Sequence, residues 1–571
     1  MDMKEILSKT IEQAVAQAVK VGAFSVEAVP DFTLEVPPQK EFGDYAANVA
    51  MVLSRQAKKP PRVVADAILQ NMGKPEWLER AEIAGPGFLN FYLKATWLYD
   101  ALAQVLEAGS NYGRSDIGNG ARVQVEFVSA NPTGPLHVGH GRGAAVGSVL
   151  SNIMAAAGFA VTKEFYINDA GNQMDCLTDS VIARYLQALA AGGEKAGTIE
   201  FPENGYHGRD IIELAEDILA NHISGEEFLT RGGSFDPAAI PAELYDAFKE
   251  LAQQEKLARI KKDLADFGVT FDVWFSEKTL HEGGAVLGAA RELQSKGYIY
   301  EKDGALWLKS TDFGDDKDRV VIRENGVPTY LAADIAYHRD KFHRGFKQVI
   351  NLWGADHHGY IARMKAAVGA LGFDPDRLEV IILQMVSLYQ NGEQVKMSKR
   401  TGQGVTLSEL IEEVGRDAAR FFFIMRSTDS QLDFDLDLAK SQTSDNPVYY
   451  IQYAHARICS IFRQAKEAGV VMPAVRDTDL TVLALPVETE LIKKILSFKE
   501  ETELAALRRE PHRMARYAHE LAALFHSFYN HCRVMTDDPA VQKARIILVL
   551  ATQIVLRNVL GILGVDAPEK M

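Results

Sequence analysis

The amino-acid sequence predicts an α/β protein: a doubly wound parallel sheet, preceded by a small α+β domain and followed by an all-α bundle. Three observations predict it. From Arg122 onward, strand-like apolar runs alternate with helical patterns, as a parallel sheet covered by helices requires. Before residue 109, helical stretches surround a single alternating segment. After about Lys440 no strand pattern survives.

The elements follow in order. Helical patterns over 3–20, 45–56 and 62–71 flank the alternating stretch Gly87–Leu93, and together make an α+β domain of residues 1–108. The glycine-rich polar stretch between Gly109 and Gly120 reads as a linker. In the domain 118–440, Arg122–Val128 predicts a strand, Gly139–Ala157 a helix, and Thr162–Ile167 a second strand. Gln348–Trp353 and Glu379–Leu383 are further short apolar runs. Residues 178–267 are mostly helical and charged, broken at Gly192-Gly193 and Gly232-Gly233, and read as an insertion into the sheet. Helical segments at 448–468, 486–507, 511–532 and 539–563 build the bundle of residues 441–571.

Bulk properties narrow the function classes. A chain of 571 residues exceeds one hydrophobic core. Three cysteines, Cys176, Cys459 and Cys532, lie far apart, which excludes a disulfide scaffold and a CxxC zinc ribbon and suits a reducing, cytoplasmic setting. The first residues form an amphipathic pattern without the basic and apolar regions of a secretory signal. Ile546–Val565 has membrane-spanning length, but Gln553, Arg557 and Asn558 interrupt it, so a buried bundle helix is expected and no membrane association. The net charge of −15 argues against nucleic acid at first sight. Residues 441–571, however, hold 16 lysines and arginines against 15 carboxylates, so the negative excess lies elsewhere.

The most informative stretch is EFVSANPTGPLHVGH, in which an apolar strand enters a proline-containing loop and then a Gly/Ala-rich helix. His137 and His140 stand at i and i+3 on the first helical turn, where backbone N–H groups attract phosphate and imidazoles add directed donors. Two histidines alone supply too few ligands for zinc, and no thiolate or HExxH pattern completes them, so no metal site is expected. A second stretch, Lys396-Met397-Ser398-Lys399-Arg400-Thr401-Gly402, concentrates three cations, a hydroxyl and a glycine. Lysine there is a compact point charge suited to a departing phosphate.

HxGH at a strand-to-helix turn, followed 256 residues further on by KMSKR, resembles the signature pair of class I aminoacyl-tRNA synthetases. The runs PTYLAAD, GADHHGY, MSKRTG and GILGV, with the closing APEKM, resemble the arginyl-tRNA synthetases in particular. The resemblance implies a Rossmann-type sheet with ATP at its C-terminal edge, bound as a complex with Mg2+, and no tightly held cofactor or zinc. It implies that His137 and His140 meet the α-phosphate, that Gly139 leaves room for adenine, and that Gly141, Met397 and Ser398 complete the ATP site. Lys396 and Lys399 would hold the leaving pyrophosphate. Tyr330, Asp334 and Glu277 would grip the guanidinium, while Glu126, Asn131 and His357 would address the α-amino and carboxylate groups. It further implies a monomer whose partners are ATP, L-arginine and tRNA(Arg), with tRNA bound before arginine is activated.

Within the bundle, Tyr450, Gln452, Tyr453 and Arg457 mix aromatic and hydrogen-bonding groups at helical spacing, as unpaired bases require. Arg509 and Arg513, in a basic cluster near Pro511, are candidate phosphate contacts. Phe42, Tyr45 and Asn48 lie in the domain that, by the same resemblance, touches the elbow of the tRNA. Competing readings are another HxGH nucleotidyltransferase, a synthetase for a different amino acid, and a non-catalytic RNA-binding paralogue. The first is generally much shorter, and the last would be expected to lose the phosphate ligands.

Overall fold

The computed structural model describes residues 3–37, 39–190, 199–395 and 404–571. The chain folds as two compact units. The first gathers residues 1–108, 472–496 and 534–551. Its sheet is antiparallel, in the order Leu34–Glu35, Tyr45–Ala47, Phe88–Leu93, Leu78–Ala84. Helices Met3–Lys20, Val49–Ala57 and Pro61–Asn71 bury Leu7, Ile11, Val15, Leu53 and Ile68 in one core with Leu89 and Phe91 of the sheet. The helix expected from residue 45 starts only at Val49. Asn48, whose side chain accepts from the Thr33 backbone at 2.7 Å, separates it from the strand Tyr45–Ala47. Arg545 pairs with the fully buried Glu488 at 2.8 Å in this unit.

The second unit gathers residues 109–471, 497–533 and 552–571. Its centre is a five-stranded sheet of β1 (Arg122–Glu126), β2 (Ala160–Ile167), β3 (Val273–Ser276), β4 (Gln348–Gly354) and β5 (Leu378–Leu383), in the order β5-β4-β1-β2-β3. Every neighbouring pair is parallel. Strands β2 and β3 step away on one side of β1, and β4 and β5 lie on the other. The order therefore reverses between β1 and β4, and ligands of such sheets sit in the crevice at the strand C-termini there.

Helix α1 (Val138–Ala156) connects β1 to β2 and is buried almost throughout, as its Gly/Ala content allows. Helix α2 (Ala242–Asp266) closes the insertion and leads back to β3. Helix α3 (Tyr330–His343) leads into β4 and buries Leu331, Ile335, Ala336 and Phe342 against Val349. Two small sheets escaped sequence analysis: Ile299–Lys302, Ala305–Leu308 and Arg319–Ile322 form one, and Val386–Gln390, Glu393–Val395 and Leu432–Asp435 the other. Their strands of three to five residues are too short for periodicity to register.

After Lys440 the described residues form helices and no strand. The helix expected over 486–507 is broken at Ser497, giving Pro486–Leu496 and Phe498–Arg508. The apolar helix Pro539–Leu563 meets the length and composition of a membrane span, yet Ile546, Ile547, Val549, Val555, Leu556 and Val559 are fully buried in the protein. It is a core helix.

Gly147 shows how tightly α1 lies on β1. A Cβ there would come within 2.2 Å of the Phe127 ring. Gly147→Ala is therefore expected to destabilise the second unit by about 1–3 kcal/mol through overpacking, seen as a lowered thermal transition.

Candidate active site

His137 is the N-cap of α1, and the two histidines cap it reciprocally. The His137 Nδ1 accepts from the Gly139 backbone N–H at 3.1 Å, and the His140 Nδ1 accepts from the His137 N–H at 3.2 Å. Their rings stack at 3.8 Å. With each Nδ1 used as an acceptor, the proton of each neutral ring resides on Nε2, a directed donor. Burial lowers the His137 pKa, and burial with the neighbouring His137 takes His140 down to about 3. Both imidazoles are thus neutral at pH 7. They supply N–H donors beside a helix N-terminus, without fixed charge.

The lysine-rich stretch, with Lys396, Met397, Ser398 and Lys399, lies outside the described residues, but the chain leaving it does not. Thr406 forms an antiparallel bridge with His137, Val138 N–H donates to Val405 O at 3.3 Å, and Leu407 N–H donates to Leu136 O at 2.8 Å. Thr406 then caps helix Leu407–Val414 through a reciprocal bond with Glu409. The exit of the lysine stretch is therefore hydrogen-bonded to the histidine turn.

Arg142, one turn further along α1, was not singled out by sequence. It is 1% exposed and donates to the carbonyls of Gln384, Ser427 and Ser430 at 2.7–2.9 Å, which ties α1 to the segments after β5 and before Leu432. Burial lowers its pKa to about 10, so it stays charged at neutral pH. Gly141, expected at the ATP, is buried, and a Cβ there would meet Leu407 at 2.9 Å and Phe423 at 3.1 Å. Its small size serves helix packing. Gly139 is tight only against the His137 ring, at 3.0 Å.

Beside this turn, the C-terminal ends of β1, β2, β3 and the start of α3 gather carboxylates. Glu126 ends β1 at 8% exposure and pairs with Lys341, a lysine with no exposed surface, which also donates to Asn351 Oδ1 at 3.0 Å. Asn351 in turn contacts His338 Nε2 at 2.9 Å. Val128 and Ser129 follow in the left-handed region, at φ 68° and 42°, strain of order 1–3 kcal/mol each that functional sites retain. That bend lets the Ser129 hydroxyl donate to Glu126 at 3.0 Å while accepting from the Tyr166 N–H at 3.1 Å.

Glu277 follows β3 at 5% exposure. It contacts His281 at 3.3 Å and accepts from the Asn168 side-chain amide at 3.0 Å. Asp334 accepts from the Tyr360 hydroxyl at 2.6 Å. Burial, with Glu277 and Glu126 nearby, raises Asp334 to about pH 7. Burial and the same three acids push the Tyr166 phenol above its usual range, so Glu126, Glu277 and Asp334 converge around one spot. Among the described residues no lysine or arginine side chain forms an ion pair with Glu277 or Asp334. The cluster is a cation-shaped demand. Tyr330, the first residue of α3, is 59% exposed at its edge, Asn131 bonds Gln173 at 2.7 Å, and His357 lies exposed in the turn after β4, 3.3 Å from Asp356. Among the described residues no group of three His, Cys, Asp or Glu is placed to hold a metal ion.

In α4 (Pro447–Glu467), Arg457 lies 4.6 Å over the Tyr453 ring and 4.7 Å over Tyr529 of α5 (His512–His531), and bonds the Tyr453 hydroxyl at 3.0 Å. A cleft of about 480 Å³ adjoins them, lined also by Arg463, Gln464 and Met571. Tyr450 packs on His526 at 4.5 Å, and Gln452 donates to Asp417 and to the Asp566 carbonyl. Arg509 and Arg513 behave differently from the sequence expectation. Arg509 is tied to Glu379 and Gln348 at the N-terminal ends of β5 and β4, and Arg513 to Glu501 and Glu510. Their charge is spent inside the protein.

A reversing parallel sheet and a histidine-capped helix at its switch point, bonded to the chain at Val405–Leu407, are the features of a class I aminoacyl-tRNA synthetase. Comparison with known proteins specifies it. Residues 4–93 match the arginyl tRNA synthetase N terminal domain, residues 101–196 and 248–444 the class I (R) tRNA synthetase catalytic domain, and residues 451–571 the DALR anticodon binding domain. The arginine--tRNA ligase of Moorella thermoacetica is 55% identical over 571 residues, covering 100% of this chain and 99% of that one. That of Heliobacterium modesticaldum is 52% identical over 580 residues, covering all of both. The solved Thermus thermophilus arginyl-tRNA synthetase superposes with a TM-score of 0.74 at 25% identity, over 99% of this chain and 100% of that one. The chain belongs to the arginyl-tRNA synthetase family.

The buried Lys341 makes a sharp test of the site's construction. Lys341→Met leaves Glu126 charged and unpaired and is expected to lower stability by about 3–5 kcal/mol in denaturant unfolding. Adding Glu126→Gln should restore much of that loss, because the uncompensated charge is gone.

Proposed function

We propose that this chain ligates L-arginine to tRNA(Arg) with ATP, through an arginyl-adenylate, and releases AMP and pyrophosphate. An oxygen of the arginine carboxylate attacks the α-phosphorus of ATP, and the bond to the pyrophosphate oxygen breaks. A ribose hydroxyl at the tRNA 3′ end then attacks the adenylate carbonyl, and AMP leaves. No nucleophilic side chain is needed. The observation that carries the reading is the bridge between His137 and Thr406, which ties the chain just after the lysine-rich stretch to the histidine turn at the sheet's switch point.

In this reading His137 and His140 donate Nε2–H to the α-phosphate, Gly139 leaves room for adenine, and Lys396, Met397, Ser398 and Lys399 attend the departing pyrophosphate. ATP enters as its Mg2+ complex. Neutral donors suit charge that grows during reaction, because they stabilise it without binding ground-state ATP too tightly. Glu277, Asp334 and Tyr330 receive the guanidinium, with Glu126, Asn131 and His357 serving the α-amino and carboxylate groups. A planar cation with five donors matches several carboxylates better than an ammonium does.

Residues 118–440 act as the catalytic domain, 1–108 contact the tRNA elbow, and 441–571 read the anticodon, where Tyr450, Gln452, Tyr453 and Arg457 offer stacking and base-edge contacts. The enzyme works as a cytoplasmic monomer. The direct test is incubation with ATP, total tRNA and each labelled amino acid in turn. Arginine alone should become attached to tRNA, and charging of any other amino acid instead would reject the assignment.

Two further outcomes are expected. Lys399→Ala should lower kcat by about 100-fold or more with little change in arginine KM, measured by steady-state aminoacylation. Asp334 also makes arginine binding depend on pH. Its carboxyl ionises as pH rises through about 7, and the guanidinium binds the ionised form. Arginine affinity should thus weaken about tenfold from pH 8 to pH 6 in calorimetry, and Asp334→Asn should bind weakly at both.

A further inference from the structure

The insertion 178–267 has so far been given no task, yet its closing helix reaches the acidic pocket through one carboxylate. Asp169, in the turn after β2, is 6% exposed and among the described residues makes no ion pair with a lysine or arginine side chain. Its Oδ1 accepts from the Lys278 backbone N–H at 3.0 Å. Its Oδ2 accepts from the Ser276 hydroxyl at 2.6 Å and from the Gln253 amide of α2 at 3.0 Å. Ser276 and Lys278 are the two neighbours of Glu277.

The same turn holds Glu277 itself. The Glu277 N–H donates to Ile167 O at 3.0 Å, and the Asn168 side chain donates to the Glu277 carboxylate at 3.0 Å. The end of β2 and the turn after it, Ile167–Asp169, thus anchor both Glu277 and its two neighbours. An ionised carboxylate buried without a counter-ion is expensive, and simple packing would be served by an apolar residue. What the carboxylate provides is two hydrogen bonds that hold Ser276 and Lys278 on either side of Glu277, and a third that ties them to Gln253 of α2. Gln253 in turn is placed by the insertion: on α2, Lys249 bonds Asp175 at 2.7 Å and Tyr245 bonds Asp179 at 3.0 Å on helix Asn172–Leu189.

We propose that Asp169 is a positioning residue for the guanidinium-binding Glu277, and that the insertion sets arginine affinity by presenting Gln253 to it. This rests on the proposed role of Glu277. Asp169 touches no substrate; it acts only through the conformation of residues 276–278.

The test is a set of double-mutant cycles on the full-length enzyme, read as KM for arginine, KM for ATP and kcat in aminoacylation. Glu277→Gln raises arginine KM. Asp169→Asn raises arginine KM by about tenfold and Gln253→Ala by about threefold, with ATP KM unchanged. In the Glu277→Gln background neither adds a further increase, because both act through the lost carboxylate. Should Asp169→Asn fail to fold, the Gln253→Ala and Glu277→Gln cycle decides alone. If Glu277→Gln raises arginine KM but the second substitution multiplies it by its full factor, or shifts ATP KM equally, the positioning role is overturned while the pocket stands. If Glu277→Gln leaves arginine KM unchanged, the pocket assignment falls and this inference with it.

Discussion

The catalytic unit depends on one buried ion pair, Glu126 with Lys341. Glu126 ends β1 and stands opposite Asn351 of β4 across the strand pair where the sheet order reverses, and Lys341 of α3 reaches both. Two charges removed from water gain little net stability from each other, so the pair is better understood by what it makes possible. It allows a carboxylate to be held, ionised, at the crevice where a ligand must bind. It also locks β1, α3 and β4 in register, and through α3 it fixes Asp334 at the same crevice.

With one acid neutralised from behind, two others can converge, Glu277 from the end of β3 and Asp334 from α3, without a cation of their own. Asp334 registers the crowding as a carboxyl raised to about 7. In the proposed reading such a pocket is unfavourable empty and favourable when a guanidinium arrives, which turns repulsion between the acids into selectivity for a delocalised cation. The histidine side of the crevice uses the opposite device. There, a helix N-terminus and two neutral imidazoles offer dipoles in place of charges, and their tautomers are set by the backbone N–H groups they accept from.

Much of this was legible in sequence where the signal is local. Four of the five parallel strands announce themselves as apolar runs, and HVGH carries its geometry within four residues. What escaped depends on distant partners. Lys341 and Asp169 look like solvated surface residues in a sequence, because their counter-groups lie on other strands or on the insertion. Arg142 sits in a glycine-rich helix start that reads as part of the phosphate turn, whereas its carbonyl partners lie more than 240 residues away. Gly141 was read as part of the ATP site, when the neighbour that demands its small size is Leu407. Asn48 divides a strand from a helix by a bond to Thr33 that no periodicity records.

The distribution of charge bears on how the bundle could meet RNA. Arg509 and Arg513, the most suggestive cations by sequence, are neutralised within the fold, and the chain as a whole is acidic. Phosphate neutralisation is thus a weaker source of affinity here than a basic cluster would suggest. The surface around α4 offers something else. The Arg457 guanidinium lies between the Tyr453 and Tyr529 rings, and a cleft adjoins them. Flat π-faces and fixed donors favour unstacked bases over duplex backbone. An acidic protein that grips RNA by stacking discriminates against generic polyanions, because its own field repels any RNA that cannot offer splayed bases to those rings.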